Sequence, residues 1–388
     1  MNIKDRQDGP RAYGLVCGKM PTGQFNTLSD VPGVKLGHFT LADGEVQTGI
    51  TVILPHGRNI FHDKLPAACR VFNGFGKSVG LVQLEELGCI ESPIFLTNTF
   101  SVPVCIEGGL DLLLEDNQDI ADSTGSANIV VMECNDAHLS DMRKRAIKRE
   151  HVAAAINNAK IARPDFARGA VGAGRGMSCY SLKGGIGTAS RLVAIEKEAA
   201  SFCLGALVLS NFGKLSDLNI LGRKIGLEIS ALPGKRDVTQ SSMLASKAIK
   251  SAGSGAGTGK PGDGSVIVVL ATDAPLDSRQ LKRICGRAAS GLARTGAFVS
   301  GGSGEIALAF STANTIPHYP DKAVLTQSLL HEEYLDGFFE AVTEAVEEAV
   351  LDSLFCAETV HGRAGHVRYA LRDFGLYTRL EAGSTRIC

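Results

Sequence analysis

The sequence predicts an α+β fold in which sheets and helices are stacked in layers. Short strands rich in Val, Ile and Leu recur along the 388 residues, and Gly, Pro or Asn bounds them. Several of these strands are apolar on both faces, which is typical of strands buried between two layers. Strands and helices do not alternate regularly, so a layered α+β sandwich is favoured over a doubly wound parallel sheet.

Six strands carry this pattern. The two that matter most for function are the fourth, which ends on an asparagine, and the fifth, which begins at a serine directly after a glycine. The six are GITVILP (49–55), SPIFLTNT (92–99), NIVVME (128–133), CLGALVLSN (203–211), SVIVVLAT (265–272) and EIALAFST (305–312).

Two helices are predicted on either side of the fifth strand. The first covers 138–162 and follows the strand that ends near Glu133. The second covers 278–294, where Asp277 is the expected N-cap and Gln280 completes a capping box. The apolar stripe of the second helix consists of Leu281, Ile284, Cys285, Ala288 and Leu292.

A third, long amphipathic helix is predicted over 325–355. Its apolar positions recur at helical spacing, so they form one face directed at the core. That face consists of Leu335, Phe338, Phe339, Val342, Ala345, Val346 and Ala349.

Composition excludes several function classes. The chain has 40 Lys and Arg against 41 Asp and Glu, so it lacks the basic excess of a nucleic-acid-binding protein. No apolar run is long enough for a transmembrane helix, and the first twenty residues lack the apolar region of a secretory signal. We therefore expect no nucleic-acid partner, no membrane and a cytoplasmic location.

The ten cysteines are scattered, and several lie in apolar runs, as at Cys105, Cys203, Cys285 and Cys356. There is no CxxC pair and no Cys/His cluster with zinc spacing, so reduced core thiols and no metal are expected. GSGAGTGKP and GAGRGM resemble nucleotide-binding loops. Each of the two segments lacks a residue that its nucleotide-binding motif requires, so no cofactor is expected.

A glycine-rich segment, SAGSGAGTGKPGDG (251–264), meets the fifth strand at Ser265. By composition it is a flexible linker, and an ordinary interdomain connection is one interpretation. The other is self-cleavage. Gly264 permits the strained backbone that such a reaction needs, and the Ser265 hydroxyl can attack the preceding carbonyl. Chains 1–264 and 265–388 would result, and the new α-amine of Ser265 would serve as general base.

Three polar residues at strand ends support the second interpretation. Ser303 and Glu305 are two apart at the head of a buried strand, so they share a face and can relay a proton of a nearby hydroxyl. Asn211 ends a buried strand, where its amide can donate to an oxyanion. The alternatives are a solvated strand start for the pair and a turn-forming role for the asparagine.

Together these segments resemble the self-processing β-aminopeptidase and L-aminopeptidase/D-esterase family, of the DmpA/BapA type. The resemblance covers nearly the whole chain. It is carried by LSDVPGVKLGHFT (28–40), PAACRVFNGFG (66–76), LTNTFSV (96–102), KGGIGTASR (183–191), LVLSNFG (207–213), GDGSVIVVLATDAPL (262–276) and SGEIALAFST (303–312).

The resemblance implies one four-layer αββα sandwich over 1–388, related in layout to the ornithine acetyltransferases and cleaved between Gly264 and Ser265. It implies a homo-oligomer of processed αβ units, commonly a tetramer. Ser265 would be the nucleophile, Asn211 an oxyanion donor, and Ser303 and Glu305 the partners of the nucleophile.

The same resemblance assigns substrate-binding residues in ECNDAHLSD (133–141). Glu133 would bind the free amine of the substrate, although an acid at a strand end before a helix is also favoured by the helix dipole. His138 stands where the family often has tyrosine, and its alternative is a capping or solvent-facing role. Arg168 and Arg175, in ARGAVGAGRGM, add positive charge that would favour a substrate carboxylate.

The expected function is therefore hydrolysis of small peptides, amides or esters with a free N-terminal amine, through an acyl-enzyme on Ser265. Two alternatives remain at this stage. One is acyl transfer of the ornithine acetyltransferase type, in which the nucleophile is a threonine. The other is an uncleaved, non-catalytic relative that serves as a scaffold.

Overall fold

The structure is a computed structural model that describes residues 9–197, 201–232 and 264–375. Most of the linker, 251–263, lies outside the described residues. The helices are α1 (Leu81–Leu87), α2 (Val102–Asp116), α3 (Arg149–Ile161), α4 (Ile225–Ser230), α5 (Ser278–Arg294) and α6 (Leu335–Phe355).

Fifteen strands are described. They are β1 (Lys35–Asp43), β2 (Val46–Leu54), β3 (Asp63–Gly74), β4 (Cys89–Ile90), β5 (Ile94–Asn98), β6 (Val130–Cys134), β7 (Ser178–Cys179), β8 (Leu182–Lys183), β9 (Gly185–Val193), β10 (Phe202–Asn211), β11 (Ser265–Thr272), β12 (Gly304–Ser311), β13 (Ile316–Pro317), β14 (Val360–His361) and β15 (Val367–Arg368).

Two sheets stack face to face between two helical layers. The first sheet has the order β1-β2-β5-β6, and the second has the order β13-β3-β12-β11-β10-β9, with β4 beside β3. Helices α2 and α3 pack on the first sheet, whereas α5 and α6 pack on the second. The predicted four-layer αββα sandwich is therefore confirmed.

The central strand β11 shows why the sequence is apolar on both faces. All eight of its residues are buried. Ile267 and Val269 belong to the core that includes the first sheet, whereas Val266 and Val268 belong to the core under α5 and α6. A strand with a hydrophobic layer on each side reads as a continuous apolar run, as predicted.

The six predicted strands correspond to β2, β5, β6, β10, β11 and β12, with bounds that differ by up to three residues. The capping box at the start of α5 is also confirmed. Asp277 Oδ1 accepts a hydrogen bond from Gln280 N at 2.7 Å, and Gln280 Oε1 accepts from Asp277 N at 3.3 Å.

The predicted helix over 138–162 is wrong in its first half, because α3 begins only at Arg149. Arg145 has a left-handed φ of 44° and Lys148 is extended, so the helix cannot run through them. The preceding turn is held elsewhere. The carbonyl of Leu139 accepts a hydrogen bond from Arg363 N at 2.8 Å.

The predicted helix over 325–355 begins ten residues too early. Residues near 328 are held in an irregular path, since Ser328 N donates to Asn314 Oδ1 at 3.1 Å. The predicted buried face is confirmed except at Phe339, which is partly buried. Its ring lies 3.9 Å from the guanidinium carbon of Arg287, so it covers the helix pair from the side.

Nine cysteines lie within the described residues, and all are free thiols. Seven of them are buried, including Cys105, Cys203 and Cys285, whereas Cys356 is only partly buried. Burial raises the pKa of the Cys105 thiol to about 12, so it is protonated at neutral pH. Within these described ranges no helix combines the length and apolarity needed to cross a membrane.

Helix α6 lies unusually close to β9 because position 187 has no side chain. A Cβ on Gly187 would lie 1.9 Å from Ala349 O and 2.5 Å from Ser353 N. We expect Gly187→Ala to lower the free energy of unfolding by about 1–3 kcal/mol, because the helix must move outwards. Thermal unfolding beside Gly57→Ala, where nothing lies within 4 Å, is the measurement. Equal melting temperatures for the two variants would contradict this packing.

Candidate active site

Ser265 is held at the centre of the second sheet. It is the first residue of β11, and it pairs with Asn211 of antiparallel β10 and with Gly304 of parallel β12. The side chain is buried, and its Oγ accepts a hydrogen bond from Gly304 N at 3.2 Å. Strand pairing on both sides therefore fixes the hydroxyl.

The carbonyl before Ser265 contacts the same donor. Gly304 N also donates to Gly264 O at 3.2 Å, so one backbone N–H lies between the hydroxyl and the carbonyl that it would attack. Position 264 has room only for glycine, because a Cβ there would lie 2.1 Å from Asn211 O. The seam thus combines a serine hydroxyl, a hydrogen-bonded carbonyl and a steric requirement for glycine.

Asn211 lies opposite Ser265 with its side-chain amide held in one orientation. Its Oδ1 accepts from Ser178 N at 2.8 Å, and its Nδ2 donates to Asn135 O at 2.9 Å. An amide nitrogen carries two hydrogens, so one remains to donate to a negative oxygen. Paired residues on neighbouring strands point to the same side of the sheet, which places this amide on the face of the Ser265 hydroxyl.

Ser303 and Glu305 form the predicted pair. Ser303 Oγ donates to Glu305 Oε1 at 3.0 Å, and both side chains are buried. Burial raises the pKa of the Glu305 carboxyl, while the hydrogen bond from Ser303 opposes that shift. The second carboxyl oxygen, Oε2, is buried and accepts no hydrogen bond from the described parts of the chain.

Strand alternation separates this pair from the hydroxyl of Ser265. Ile306 faces the first sheet, as does Ile267, so Glu305 faces the helical layer whereas Ser265 faces the first sheet. Glu305 pairs with Val266, directly beside Ser265. The pair therefore lies behind the Ser265 hydroxyl, on the opposite face of the sheet.

Glu133 approaches the site from the first sheet, at the end of β6. Its carboxylate is buried and accepts hydrogen bonds from Lys77 N at 2.7 Å and from Thr99 Oγ1. A Cβ on Gly76 would lie 3.6 Å from Glu133 Oε1 and 3.7 Å from Gly304 Cα. Two residues without side chains therefore lie between this carboxylate and the seam.

Comparison with known proteins identifies the family to which the chain belongs. The profile of peptidase family S58 matches residues 26–368. The chain belongs to peptidase family S58. It is a hydrolase that acts on peptide bonds, of the serine aminopeptidase type. The prediction of family and enzyme class is confirmed.

Individual relatives match this S58 chain over most of their length. The beta-peptidyl aminopeptidase BapA of Sphingosinicella microcystinivorans is 37% identical over 373 residues, which cover 92% of this chain and 89% of BapA. A solved protein of Pyrococcus horikoshii OT3 is 46% identical, with a TM-score of 0.86 over 98% of this chain and 100% of that one.

A third relative is a solved structure whose fold has been named. It is the L-aminopeptidase D-Ala-esterase/amidase of Ochrobactrum anthropi, described as a prototype for serine aminopeptidases and a variant of the N-terminal-nucleophile hydrolase fold. It is 29% identical to this S58 chain, with a TM-score of 0.83 over 96% of this chain and 98% of that one.

His138 lies in a turn after β6, so the expectation that it opens a helix is wrong. Its ring stacks on His366, with centroids 4.7 Å apart, and its carbonyl oxygen lies 2.7 Å from His366 Nδ1. Burial, and then the charge of nearby Arg368, lower the pKa of His138 to about 3. The imidazole is therefore neutral at neutral pH.

Neither arginine that the sequence singled out has an uncompensated charge. Arg168 forms a buried ion pair with Asp352, and Arg175 NH1 lies 2.6 Å from Glu358 Oε1. Both charges are balanced by carboxylates of the same chain, so the expected preference for a substrate carboxylate does not follow from these two residues.

Sequence reasoning missed three groups that the structure of this S58 peptidase places around the predicted site residues. Gly304 and Ser178 contribute backbone N–H groups, and the identity of a residue does not reveal where its backbone N–H points. A partial signal existed for Gly304, since it stands between Ser303 and Glu305. Arg368, whose Nε donates to Ser178 Oγ at 3.1 Å, carried no recognisable pattern.

Asp136 is a third buried carboxyl near the site, after Glu305 and Glu133. Its side chain is fully buried, and burial raises its pKa from 3.8 to about 7, although polar contacts with Thr48 and Asn98 oppose that shift. A group whose pKa is raised by folding stabilises the folded state fully below its unfolded pKa. That stabilisation is lost as the pH rises through the folded value, here between about pH 4 and pH 7.

We therefore expect Asp136→Asn to gain stability relative to the parent as the pH rises. The variant cannot ionise, so its melting temperature should improve by several degrees, relative to the parent, between pH 4 and pH 8. Thermal unfolding across this range is the measurement, with the exposed Asp122→Asn as control. A difference that does not change with pH would show that Asp136 ionises normally in the folded state.

Proposed function

We propose that the chain cleaves itself between Gly264 and Ser265 and then removes N-terminal residues from small peptides, amides or esters, through an acyl-enzyme on Ser265. The observation that carries the proposal is the position of Gly304 N, which donates both to Ser265 Oγ and to Gly264 O. A nucleophile and the adjacent carbonyl share one donor, in a seam that admits only glycine at position 264.

The processing step is an acyl shift. Ser265 Oγ attacks the Gly264 carbonyl carbon, and the oxyanion receives hydrogen bonds from Gly304 N and Asn211 Nδ2. The C–N bond then breaks, the nitrogen of Ser265 takes the hydroxyl proton, and an ester joins Gly264 to Ser265 Oγ. Water hydrolyses that ester. Chains 1–264 and 265–388 result, and both the α-amine and the hydroxyl of Ser265 are free.

The Ser303–Glu305 pair is proposed to hold the new α-amine. The pair lies on the opposite face from the hydroxyl, beside the backbone of Ser265, and Glu305 Oε2 has no partner among the described residues. An ammonium there would satisfy that oxygen. Protons could then pass between the α-amine and the pair while the hydroxyl faces the substrate.

Hydrolysis of a substrate is proposed to use the same residues as self-cleavage. The substrate amine binds Glu133, and Ser265 Oγ attacks the carbonyl while the α-amine takes its proton. Asn211 and Gly304 stabilise the oxyanion. The leaving amine takes that proton, which leaves an ester on Ser265, and water attacks the ester to release the acid. A neutral His138 beside this path would contact the substrate without exchanging protons at neutral pH.

The preferred acyl group is proposed to be a β-amino residue. BapA of Sphingosinicella microcystinivorans is named a beta-peptidyl aminopeptidase, and it matches this chain over almost its whole length. Membership of a peptidase family favours hydrolysis over the acyl transfer of ornithine acetyltransferases. A serine at position 265, where those enzymes have threonine, agrees with this choice.

Assembly and location are part of the proposal. Val71, Phe75 and Phe298 are exposed, and Phe75 N donates to Ser303 O beside the site. Contiguous exposed apolar patches mark interaction surfaces, and these side chains are candidates for one, so we propose a homo-oligomer of processed units, a tetramer by resemblance. The free thiols favour a cytoplasmic location.

The experiment is an assay of the purified chain on β-alanyl and L-alanyl p-nitroanilides, with N-acetyl-β-alanyl p-nitroanilide as control and N-acetylornithine as an acyl donor. We expect release from the free-amine substrates, faster for β-alanyl, and none from the acetylated control. Robust transfer from acetylornithine would overturn the aminopeptidase proposal. Equal hydrolysis of the acetylated control would show that the enzyme does not recognise the free amine of the substrate.

A further inference from the structure

Arg368 is a buried cation without a carboxylate partner among the described residues. It lies in β15, and its side chain is about nine-tenths buried. Nε donates to Ser178 Oγ at 3.1 Å, and NH1 makes a long contact of 3.4 Å with the carbonyl of Val367. A guanidinium has five N–H donors, so most of them remain uncommitted within the described chain.

Other buried arginines of this protein are compensated. Arg191, which is fully buried, lies between Glu344 and Glu348, and Arg168 lies against Asp352. Burying a charge is costly unless it is paired and hydrogen-bonded. In agreement, burial lowers the pKa of Arg368 to about 10. A ligand with negative charge would supply the compensating charge and hydrogen-bond acceptors that the described residues do not give Arg368.

The position of Arg368 connects it to the oxyanion side of the site. Ser178 receives its hydrogen bond, and the backbone N–H of Ser178 holds Asn211 Oδ1 at 2.8 Å. His138 lies near the same strand, because its ring stacks on His366, two residues before Arg368, and its Nε2 is buried without a partner among the described residues. Arg368 is therefore two hydrogen bonds away from Asn211, and the imidazole of His138 lies beside the strand that carries Arg368.

We propose that Arg368, assisted by the neutral imidazole of His138, binds a carboxylate of the substrate. The inference rests on the proposed function, and it names the substrate class as short peptides that carry a carboxylate as well as a free amine. That carboxylate has two possible sources. It belongs to the C-terminus of a dipeptide, or to the α-carboxylate of a β-linked aspartyl residue.

Charge complementarity supports this class. Glu133 would take the ammonium from the side of the first sheet, and Arg368 would take the carboxylate near Asn211. A planar guanidinium can bind a carboxylate through two parallel hydrogen bonds, which fixes the substrate relative to Ser265. A zwitterionic peptide would then satisfy both buried charges at once.

The experiment compares matched substrates in parent and variant enzymes. β-Alanyl-L-alanine and β-alanyl-L-alaninamide differ only in the terminal carboxylate, and β-aspartyl-L-alaninamide carries its carboxylate on the acyl residue. We expect the parent to prefer one carboxylate substrate over β-alanyl-L-alaninamide by about 30-fold or more in kcat/KM. Arg368→Gln should remove that preference, mainly through KM, and Arg368→Lys should retain part of it.

Arg372→Gln is the matched control, since it removes an exposed arginine from the same segment. Its preference should equal that of the parent. The preferred substrate identifies the source of the carboxylate: the dipeptide indicates the leaving residue, and the aspartyl amide indicates the acyl residue.

Two results would overturn the inference. One is a parent enzyme that hydrolyses all three substrates equally, which needs no variant and so does not depend on how the variants fold. The other is an Arg368→Gln enzyme whose kcat/KM falls by the same factor on every substrate, as a purely structural role requires. Failure of the proposed function is distinct, because none of the free-amine substrates, including the anilides, would then be hydrolysed.

Discussion

Ser265→Ala is expected to yield one intact chain of 388 residues, whereas the parent yields fragments of 264 and 124 residues. The variant lacks the oxygen that attacks the Gly264 carbonyl, and it has no nucleophile for substrates. Hydrolysis of β-alanyl p-nitroanilide should fall at least about 10⁴-fold, to background, because both covalent steps use that oxygen. Intact mass under denaturing conditions and the anilide assay are the measurements.

The control for this prediction is Ser216→Ala, which removes an exposed serine hydroxyl. It should be processed at the parental rate and keep parental activity. Circular dichroism and thermal unfolding should show that the Ser265→Ala chain is folded. Fragments of the same masses from folded Ser265→Ala would mean that another protease cuts the segment before residue 265, and the self-processing mechanism would be wrong.

Glu133→Gln is expected to separate processing from turnover. Self-cleavage involves no substrate amine, so the variant should yield the same two fragments as the parent. Glutamine keeps an oxygen that can accept from Lys77 N, but it loses the negative charge that would pair with an ammonium. Removing one member of a buried charge pair costs about 2–5 kcal/mol, so kcat/KM should fall about 30-fold to several thousand-fold.

Mass spectrometry of the fragments and the β-alanyl p-nitroanilide assay test this expectation together. The exposed Glu86→Gln is the control for loss of one negative charge. The variant should also discriminate less against N-acetyl-β-alanyl p-nitroanilide, which has no charged amine. A processed Glu133→Gln enzyme with parental kcat/KM would show that the amine binds elsewhere.

The strands, and the position of Ser265 at the start of one of them, were predictable because their signals are local. β11 is apolar on both faces and begins directly after a glycine, and the capping box of α5 needs only two residues three apart. The same reasoning failed for residues 138–148. That segment has helix-forming residues, but tertiary hydrogen bonds, such as the one from Arg363 N to Leu139 O, hold it as a turn.

The rest of the site depends on contacts between distant segments. Arg168 and Arg175 stood out beside a glycine-rich motif, yet their carboxylate partners come from α6 and the segment after it. Arg368 has no such partner among the described residues, and only the fold brings it to Ser178. Pairing that decides whether a charge is available is not visible in one sequence, because the partners are more than a hundred residues apart.

The strand order of the second sheet has a consequence for the assembly of the proposed processed enzyme. Cleavage before Ser265 would assign β3, β9 and β10 to one chain and β11, β12 and β13 to the other. In the sheet, β3 lies between β13 and β12, and β11 lies between β12 and β10. Neither chain can complete this sheet alone.

If the chain is cleaved as proposed, the precursor would fold as one molecule, whereas a processed enzyme that unfolds would have to reassemble from two chains. Its recovery after denaturation should depend on protein concentration, and that of the precursor should not. Maturation would then be irreversible in folding terms. The cleavage that frees the Ser265 amine and hydroxyl would also prevent the sheet from refolding from a single chain.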